Sequence, residues 1–454
     1  MLTPDEVVDV TRDLWKRHED ERPDHDRSYD YVRGLRGVPA VPDGSGDELV
    51  DLARMSVKNV LAIIVDAFGQ NLAVNGFRSS DRATDDPIWS WWQRQRLDAR
   101  QSEVHRPALT YGSAFAVVGK DSCRLRTPRQ MFAVYEDPSL DLWPLYALET
   151  WVDRSGERPR RRGLLMDPEL AYPLDLGELS RATGRQGEVE DRIRRIQPTA
   201  IGEPIAHGSE HCPVVRFINN RDAEDVVVGE VLPFVDQQRA INNVNFDRLV
   251  VSRFGAFPQK YAVGWAADGP DALARASAAR LMAFEDEQVK VGDFKQASVE
   301  PYNSILEEMV AHVATEAQVP LSSFGSLINL SAEALAMAEA PHQRKLTAKR
   351  ESFGESWEQV LRLAASLNGI DADETAEVIW RDTEARSFAQ VVDGVVKLAG
   401  AGLPIDELLE DIPGWSKQRI DQVRTAMRRD AGRRLADTLA QAASTPAVDD
   451  DLAG

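Results

Sequence analysis

GEVLPFVDQQRAINNVNFDRLVVSRFG, residues 229–255, reads as one helix. Pro233 fits because it lies in the first turn, where a missing N–H removes no intrahelical bond. FPQKYAVGW, 257–265, then changes to the alternation of a strand, and PDALARASAARLMAFEDE, 270–287, reads as a short helix. PYNSILEEMVAHVATEAQ, 301–318, is the clearest helix in the chain. Pro301 starts it, Tyr302, Ile305, Met309 and Val313 form one stripe, and Val319-Pro320 ends it. Two helices bracketing a strand-bearing segment are the pattern on which the reading of the chain turns.

FGSLINLSAEALAMAEAPHQRKL, 324–346, follows as a loop that becomes an alanine-rich helix at Ser331, with Pro341 inside it. The helix is expected from about Ala332 to Leu367, with Leu346, Phe353, Trp357, Val360, Leu361 and Ala364 on its buried face and a C-cap signal at Asn368-Gly369. A straight helix of this extent is about 54 Å long at 1.5 Å per residue. Pro341 lacks an N–H and crowds the carbonyl of Met337, so a bend is expected there. The alternative is a helix that ends near Ala340 and a second that begins after it.

Towards the N-terminus, Thr3-Pro4-Asp5-Glu6 is a helix start, with a capping threonine, proline at the first helical position and acids where the dipole favours them. A Gly/Pro/Asp-rich loop covers 34–47. A second helix carries Val57, Leu61, Ile64, Val65 and Phe68, and a third carries Trp89, Trp91, Trp92 and Leu97. From Ala108 the period becomes two: ALTYGSAFAVVG, QMFAVYED, LYALETWVD and PVVRFINN read as strands, with the Arg-rich 153–162 stretch an exposed turn. Beyond residue 369 come a short strand, AEVIW, and several helices, and STPAVDDDLAG reads as a disordered tail. The fold class is α+β, mainly helical.

The 454 residues carry 54 Lys+Arg against 74 Asp+Glu, a net charge of −20. That balance excludes a protein gripping nucleic acid through a basic surface, but not one that handles DNA without gripping it. Two isolated cysteines, Cys123 and Cys212, make no disulfide framework. The acidic N-terminus has no signal-peptide pattern, and VLAIIV at 60–65 is far short of a membrane span. The expectation is a soluble protein made in the cytoplasm.

Chemistry-bearing motifs are sparse. GSAFAVVGKDS, 112–122, contains Gly-Lys with the wrong glycine spacing for a phosphate loop. His207 and His211, beside Glu210 and Cys212, are four apart, but Gly208 and Pro213 favour a loop over the helix a shared metal requires. Asp137 and Asp141 form a carboxylate pair that turn capping explains equally well. There is no GxSxG, CxxC, GxGxxG or HExxH. No catalytic residue, metal ligand or cofactor is assigned, and the protein is expected not to be an enzyme.

Two charge patterns remain. The 301–318 helix carries Glu307, Glu308 and Glu316 and no Lys or Arg, and an amphipathic helix with a polar outside accounts for them. KQRIDQVRTAMRRDAGRR, 417–434, has seven Lys/Arg against two Asp. It reads as a solvated or inter-subunit face, or else as one that meets phosphates.

The order of these segments resembles the portal proteins of tailed bacteriophages, siphophage type. VGEVLPFVDQQRAINNVNFDRLVVSRFGAFPQKYAVG, with Leu232, Asp236 and Asn242 leading to Phe257-Pro258-Gln259 and Gly264, is similar to that family's first stem helix and following strand. PYNSILEEMVAHVATEAQVPLSSFG is similar to its second stem helix, NLSAEAL to the start of its long wing helix, and WRDTEARSFAQVVDGVVKLAGAGLP to a later segment. The resemblance covers residues 1–435.

The resemblance implies a ring, typically of twelve subunits, at one capsid vertex of the virion, assembled in the host cytoplasm, with no membrane association. Double-stranded DNA passes through it during packaging by a separate terminase, during head–tail joining and at ejection. Major capsid protein, scaffold and a head–tail adaptor are the other implied partners. The implied regions are wing (1–228), stem helices (229–255 and 301–319), clip (256–300), tunnel loop (320–331), a long kinked helix with the rest of the wing (332–380), crown (381–435) and tail (436–454). Channel-lining residues would be Glu307, Glu308 and Glu316. Tunnel-loop residues would be Ser322, Ser323, Asn329 and Ser331, with the kink at Pro341. Crown contacts to DNA would come from Arg424, Arg428, Arg429, Arg433 and Arg434. An adaptor or other head-completion protein is the alternative from the same context, and a hydrolase using His207 and His211 is a third reading.

Overall fold

The computed structural model describes residues 1–78, 86–138, 140, 142–183, 189–192, 196–255, 260–263, 290–293, 298–325, 332–371, 373–381, 388–409, 412, 415 and 417–444. The N-terminal helix α1, Pro4–Val32, starts at a complete capping box: the Thr3 hydroxyl accepts from Glu6 N–H, and the Glu6 carboxylate accepts from Thr3 N–H at 2.8 Å. Helices α2 (Asp47–Met55) and α3 (Val60–Gly69), strand β1 (Val74–Arg78) and helices α4 (Trp89–Arg94), α5 (Leu97–Arg100) and α6 (Ser102–Tyr111) follow. The Trp/Leu97 segment, expected as one helix, is two, because Arg96 takes a left-handed conformation between them. Val57 lies outside α3.

The expectation of a strand from Ala108 is corrected. Val104, Ala108 and Leu109 bury one helical face of α6, and Gly112, at φ +97°, ends that helix. Only then does β2 (Ser113–Gly119) begin, turning at Lys120-Asp121 into β3 (Ser122–Arg126). Strands β4 (Met131–Val134), β5 (Tyr146–Asp153), β6 (Arg160–Met166) and β7 (Leu170–Glu178) form an antiparallel meander. The Arg-rich turn is therefore shorter than expected. Arg160 and Arg162 belong to β6, where Asp175 and Asp153 neutralise them. β8 (Ser180–Thr183) pairs with β9 (Val189–Arg192), while β10 (Thr199–Ala200) and β11 (Ile205–Ala206) pair with β7. β12 (Val214–Ile218) completes a sheet ordered β12-β2-β3.

Helix α7 is Val235–Gly255, preceded by a 3-10 turn at Leu232–Phe234, so residues 229–231 are not helical as expected. Val228 N–H and Glu230 N–H instead bond the carbonyls of Asn220 and Leu109. A Cβ on Gly229 would lie 2.5 Å from Thr110 O, so only glycine fits that crossing. β13 (Lys260–Val263) pairs antiparallel with β14 (Lys290–Asp293). The motif residues Phe257, Pro258, Gln259 and Gly264, and the 270–287 helix, lie outside the described residues. Helix α8 is Glu300–Ala317, and helix α9, Ala332–Asn368, runs continuously through Pro341 rather than ending at Ala340. Strand β15 (Glu377–Trp380) pairs with β1, and α10 (Phe388–Gly400), α11 (Ile405–Leu408) and α12 (Lys417–Ser444) follow.

One large core gathers α3, α4, α6, β2, β12, α8 and α9. At its centre Trp357 packs edge-on to Trp92 and Phe217 and donates Nε1–H to His105 Nε2 at 2.7 Å. α1 lays Val7, Leu14 and Trp15 on the meander sheet, and a smaller cluster joins that sheet to the β2–β12 sheet.

Candidate functional site

α7 and α8 run side by side and antiparallel. Gln237 Nε2 donates to Glu316 Oε2 at 3.4 Å near one end, and Arg248 donates to Asn303 Oδ1 at 3.1 Å near the other. α8 buries Leu306, Val310, Val313, Ala314 and Ala317. The expected stripe is thus rotated: Ile305 is 44% exposed, and Tyr302 and Met309 are half-buried. Both stripes satisfy the helical period. The small side chains of Ala314 and Ala317 select the observed one, because they let the helix approach the core closely. At about 100° per residue, Glu308 sits at the middle of the opposite face, with Glu307 and Glu316 to either side. All three glutamates are exposed, and none has an ion-pair partner within the chain among the described residues.

α7 is fixed by buried amides that the sequence reading passed over. Gln238 Oε1 accepts from the first N–H groups of α3, Val60 at 2.9 Å and Leu61 at 3.3 Å. Asn242 accepts from Lys58 N–H at 3.0 Å and donates to Gly37 O at 2.9 Å, and Asn245 donates to Ser56 O at 2.7 Å. The i, i+4, i+7 spacing in QQRAINNVN was the available signal: three amides on one face are misplaced unless something polar meets them.

Just past Pro341, α9 presents His342, Lys345 and Lys349 on one side. Lys345 Nζ donates to Glu230 Oε2 at 2.6 Å and to Ala317 O at 3.2 Å. Lys349 Nζ donates to Glu230 Oε1 and to Asn219 Oδ1, both at 2.6 Å. The ring of His342, stacked on Phe68, donates from Nδ1 to Gln318 O at 3.1 Å. The open carbonyls at the end of α8 are therefore capped by side chains of α9, and the same side chains grip the approach to α7. Burial alone would raise the Glu230 pKa, but the ammonium groups of Lys349 and Lys345 hold it below its ordinary value. Burial lowers the Lys349 pKa, with Glu230 opposing that shift.

Ser322 and Ser323 are exposed on a 3-10 turn, Leu321–Phe324, after α8. Asn329 and Ser331 lie outside the described residues. In α12, Arg428, Arg429, Arg433 and Arg434 are exposed and Arg424 is half-buried. They do not form one face: at about 100° per residue Arg424 and Arg428 share a side, Arg429 and Arg433 lie opposite, and Arg434 lies between. His207 Nε2 bonds Asp167 O at 3.0 Å, while His211 stacks on Trp143 with ring centroids 5.1 Å apart. The two histidines thus go to different partners. Asp141 lies outside the described residues. Among the described residues no group of three or more His, Cys, Asp or Glu side chains is arranged to hold a metal ion, and no helix is long and apolar enough to cross a membrane.

Residues 12–432 match the model of the family described as phage portal protein, SPP1 Gp6-like. The portal protein of Mycobacterium phage L5 is 25% identical over 393 residues, which cover 80% of this chain and 76% of that protein. The portal protein of Mycobacterium phage D29 is 25% identical over 403 residues, covering 80% and 77%. A solved structure described as the neck of a native GTA particle, computed with C12 symmetry, aligns over 84% of this chain and 98% of that chain, with 13% identity and a TM-score of 0.43.

Proposed function

This chain belongs to the SPP1 Gp6-like family of phage portal proteins, and on that premise we propose that α7 and α8 form the wall of the channel through which the genome passes. The observation that carries the reading is the division of α8 into a buried apolar side and an exposed side with four glutamates, Glu300, Glu307, Glu308 and Glu316, and no lysine or arginine. Each phosphate that a channel wall neutralises releases counterions and adds affinity, so a basic wall would hold DNA in place. Glu308, flanked by Glu307 and Glu316, gives a wall that duplex DNA does not adhere to.

In this reading identical copies, typically twelve, close into a ring at one capsid vertex, through heterologous contacts that use two different faces of each subunit. Residues 1–228 with 332–380 form the wing, 229–255 and 301–319 the stem, and 256–300 a clip facing the terminase during packaging and the head–tail adaptor afterwards. Residues 381–435 form the crown inside the capsid shell, where the arginines of α12, set around the helix, meet packaged DNA. Ser322, Ser323, Asn329 and Ser331 belong to a loop at the channel, and Pro341 turns the start of α9 towards it. Major capsid protein and scaffold surround the ring during assembly in the host. The portal hydrolyses nothing: it is the conduit, and a separate ATPase drives the DNA.

The test is charge reversal in the virus. A phage carrying Glu307→Lys, Glu308→Lys and Glu316→Lys should assemble heads that fill poorly or retain their DNA at infection. Heads that fill and empty normally would overturn the channel-wall assignment.

A further inference from the structure

A cavity of about 640 Å³ opens beside the junction of α7, α8 and α9. Its wall includes Asn219, Asn220, Arg221, Glu230, Lys345 and Lys349. The deeply buried charges, Glu230 and Lys349, pair with each other, and the surplus positive charge lies on the more exposed Lys345. Glu230 is the single carboxylate between two ammonium groups, and the Glu230 and Lys349 side chains are only 7% and 4% exposed. Arg221 is already paired with Asp225 at 2.8 Å and also donates to Pro138 O. Glu316 stands at the rim, exposed, and bonds Gln237 rather than either lysine. Lys345 differs from Lys349 in being reachable: its side chain is 25% exposed, and beyond its bonds to Glu230 and Ala317 O and the Phe68 ring 5.1 Å from Nζ, one of its three N–H donors has no hydrogen-bond acceptor. The surplus ammonium at the cavity mouth shares its one carboxylate partner with Lys349 and so attracts a further counter-charge.

Resting on the ring reading above, we infer that this cavity is a socket for a carboxylate side chain of the neighbouring copy in the assembled ring. The occupant follows from charge. The chain carries 74 acidic residues against 54 basic ones, so a second copy offers many exposed carboxylates, and the amide and hydroxyl groups lining the cavity complete the polar surroundings such a guest requires. The guest carboxylate takes the free donor of Lys345 and leaves the Glu230 pairings intact. It thereby joins one subunit to the place where its neighbour's stem meets its long helix. Ring closure and the geometry of that junction then stabilise one another.

Zero-length carbodiimide coupling, which joins a lysine amine to a carboxylate it touches, tests this on the full chain with cross-links mapped by mass spectrometry. In purified rings Lys345 is expected to link to an Asp or Glu of a second copy. The link should be lost in Lys345→Arg rings, which keep the charge but lack the coupling amine, while ring formation by electron microscopy is retained. If Lys345→Arg does not fold, the mapped link in wild-type rings still decides. Rings in which Lys345 links only to Glu230 or Glu316 of its own chain, or to nothing, overturn the socket and leave the ring reading standing. A chain that stays monomeric overturns the ring reading, and the socket with it.

Discussion

Lys345 and Glu230 meet at 2.6 Å although 115 residues separate them in the chain, and Lys349 holds the other oxygen of the same carboxylate. This one carboxylate ties the approach to α7 to the middle of α9, while Lys345 also holds the end of α8. Lys349→Met should therefore destabilise the fold by about 3 kcal/mol, because it leaves a buried carboxylate and Asn219 short of partners. Pairing it with Glu230→Gln should recover part of that loss. Chemical denaturation of the single and double variants checks both, and a strictly additive double variant would contradict the coupling.

The amide ladder of α7 should be as sensitive as an apolar core. Asn242→Leu keeps the size but strands Lys58 N–H and Gly37 O, at an expected cost of about 2–3 kcal/mol. Gly37→Ala should also destabilise, since Gly37 has φ +84° and an added Cβ would lie 3.0 Å from Asn242 Nδ2. Thermal unfolding of the two variants is the measurement, and unshifted midpoints would show that the ladder is not holding α7.

Stability should fall as pH falls below neutrality. Burial pushes the pKa of His105 down to about 3 and that of His25 down to about 4, and lowers those of His18 and His342 as well. His105 is fixed neutral, donating Nδ1–H to Leu72 O and accepting from Trp357. These groups take up protons on unfolding, so their contribution is fully present above about 6.5 and is lost as pH drops through the interval towards 4 and 3. Each titrating group adds a slope of up to about 1.36 kcal/mol per pH unit. Denaturation midpoints at pH 7.5, 6 and 5 should decline in that order, and His105→Gln should flatten the decline.

Pro341→Ala restores an N–H able to reach Met337 O. In the reading proposed here it should slow amide exchange around the site and shift the start of α9 away from the channel axis. Unchanged exchange and an unchanged loop position would remove the role given to Pro341.

Much of this architecture was legible because helical periodicity and caps are local. The capping box at Thr3, the buried face of α9 from Leu346 to Ala364, and the C-cap at Gly369, with φ +65°, were all written in spacing and residue type. What misled was also physical. ALTYGSAF alternates like a strand and also carries a helical face, and only the packing of Val104, Ala108 and Leu109 decides between them. In α8 two stripes were equally periodic, and the choice lies with the neighbouring elements. The Glu230–Lys345–Lys349 cluster joins distant segments, so no local pattern announces it. Gln238, Asn242 and Asn245 were readable as a misplaced polar face, but their partners were not.

The most direct measurement is a cryo-EM reconstruction of the purified full-length chain. The account predicts a closed ring with α8 at the central opening and Glu308 facing the axis. A closed ring in which the Glu308 face of α8 turns away from the opening, or a protein that forms no ring, would contradict it.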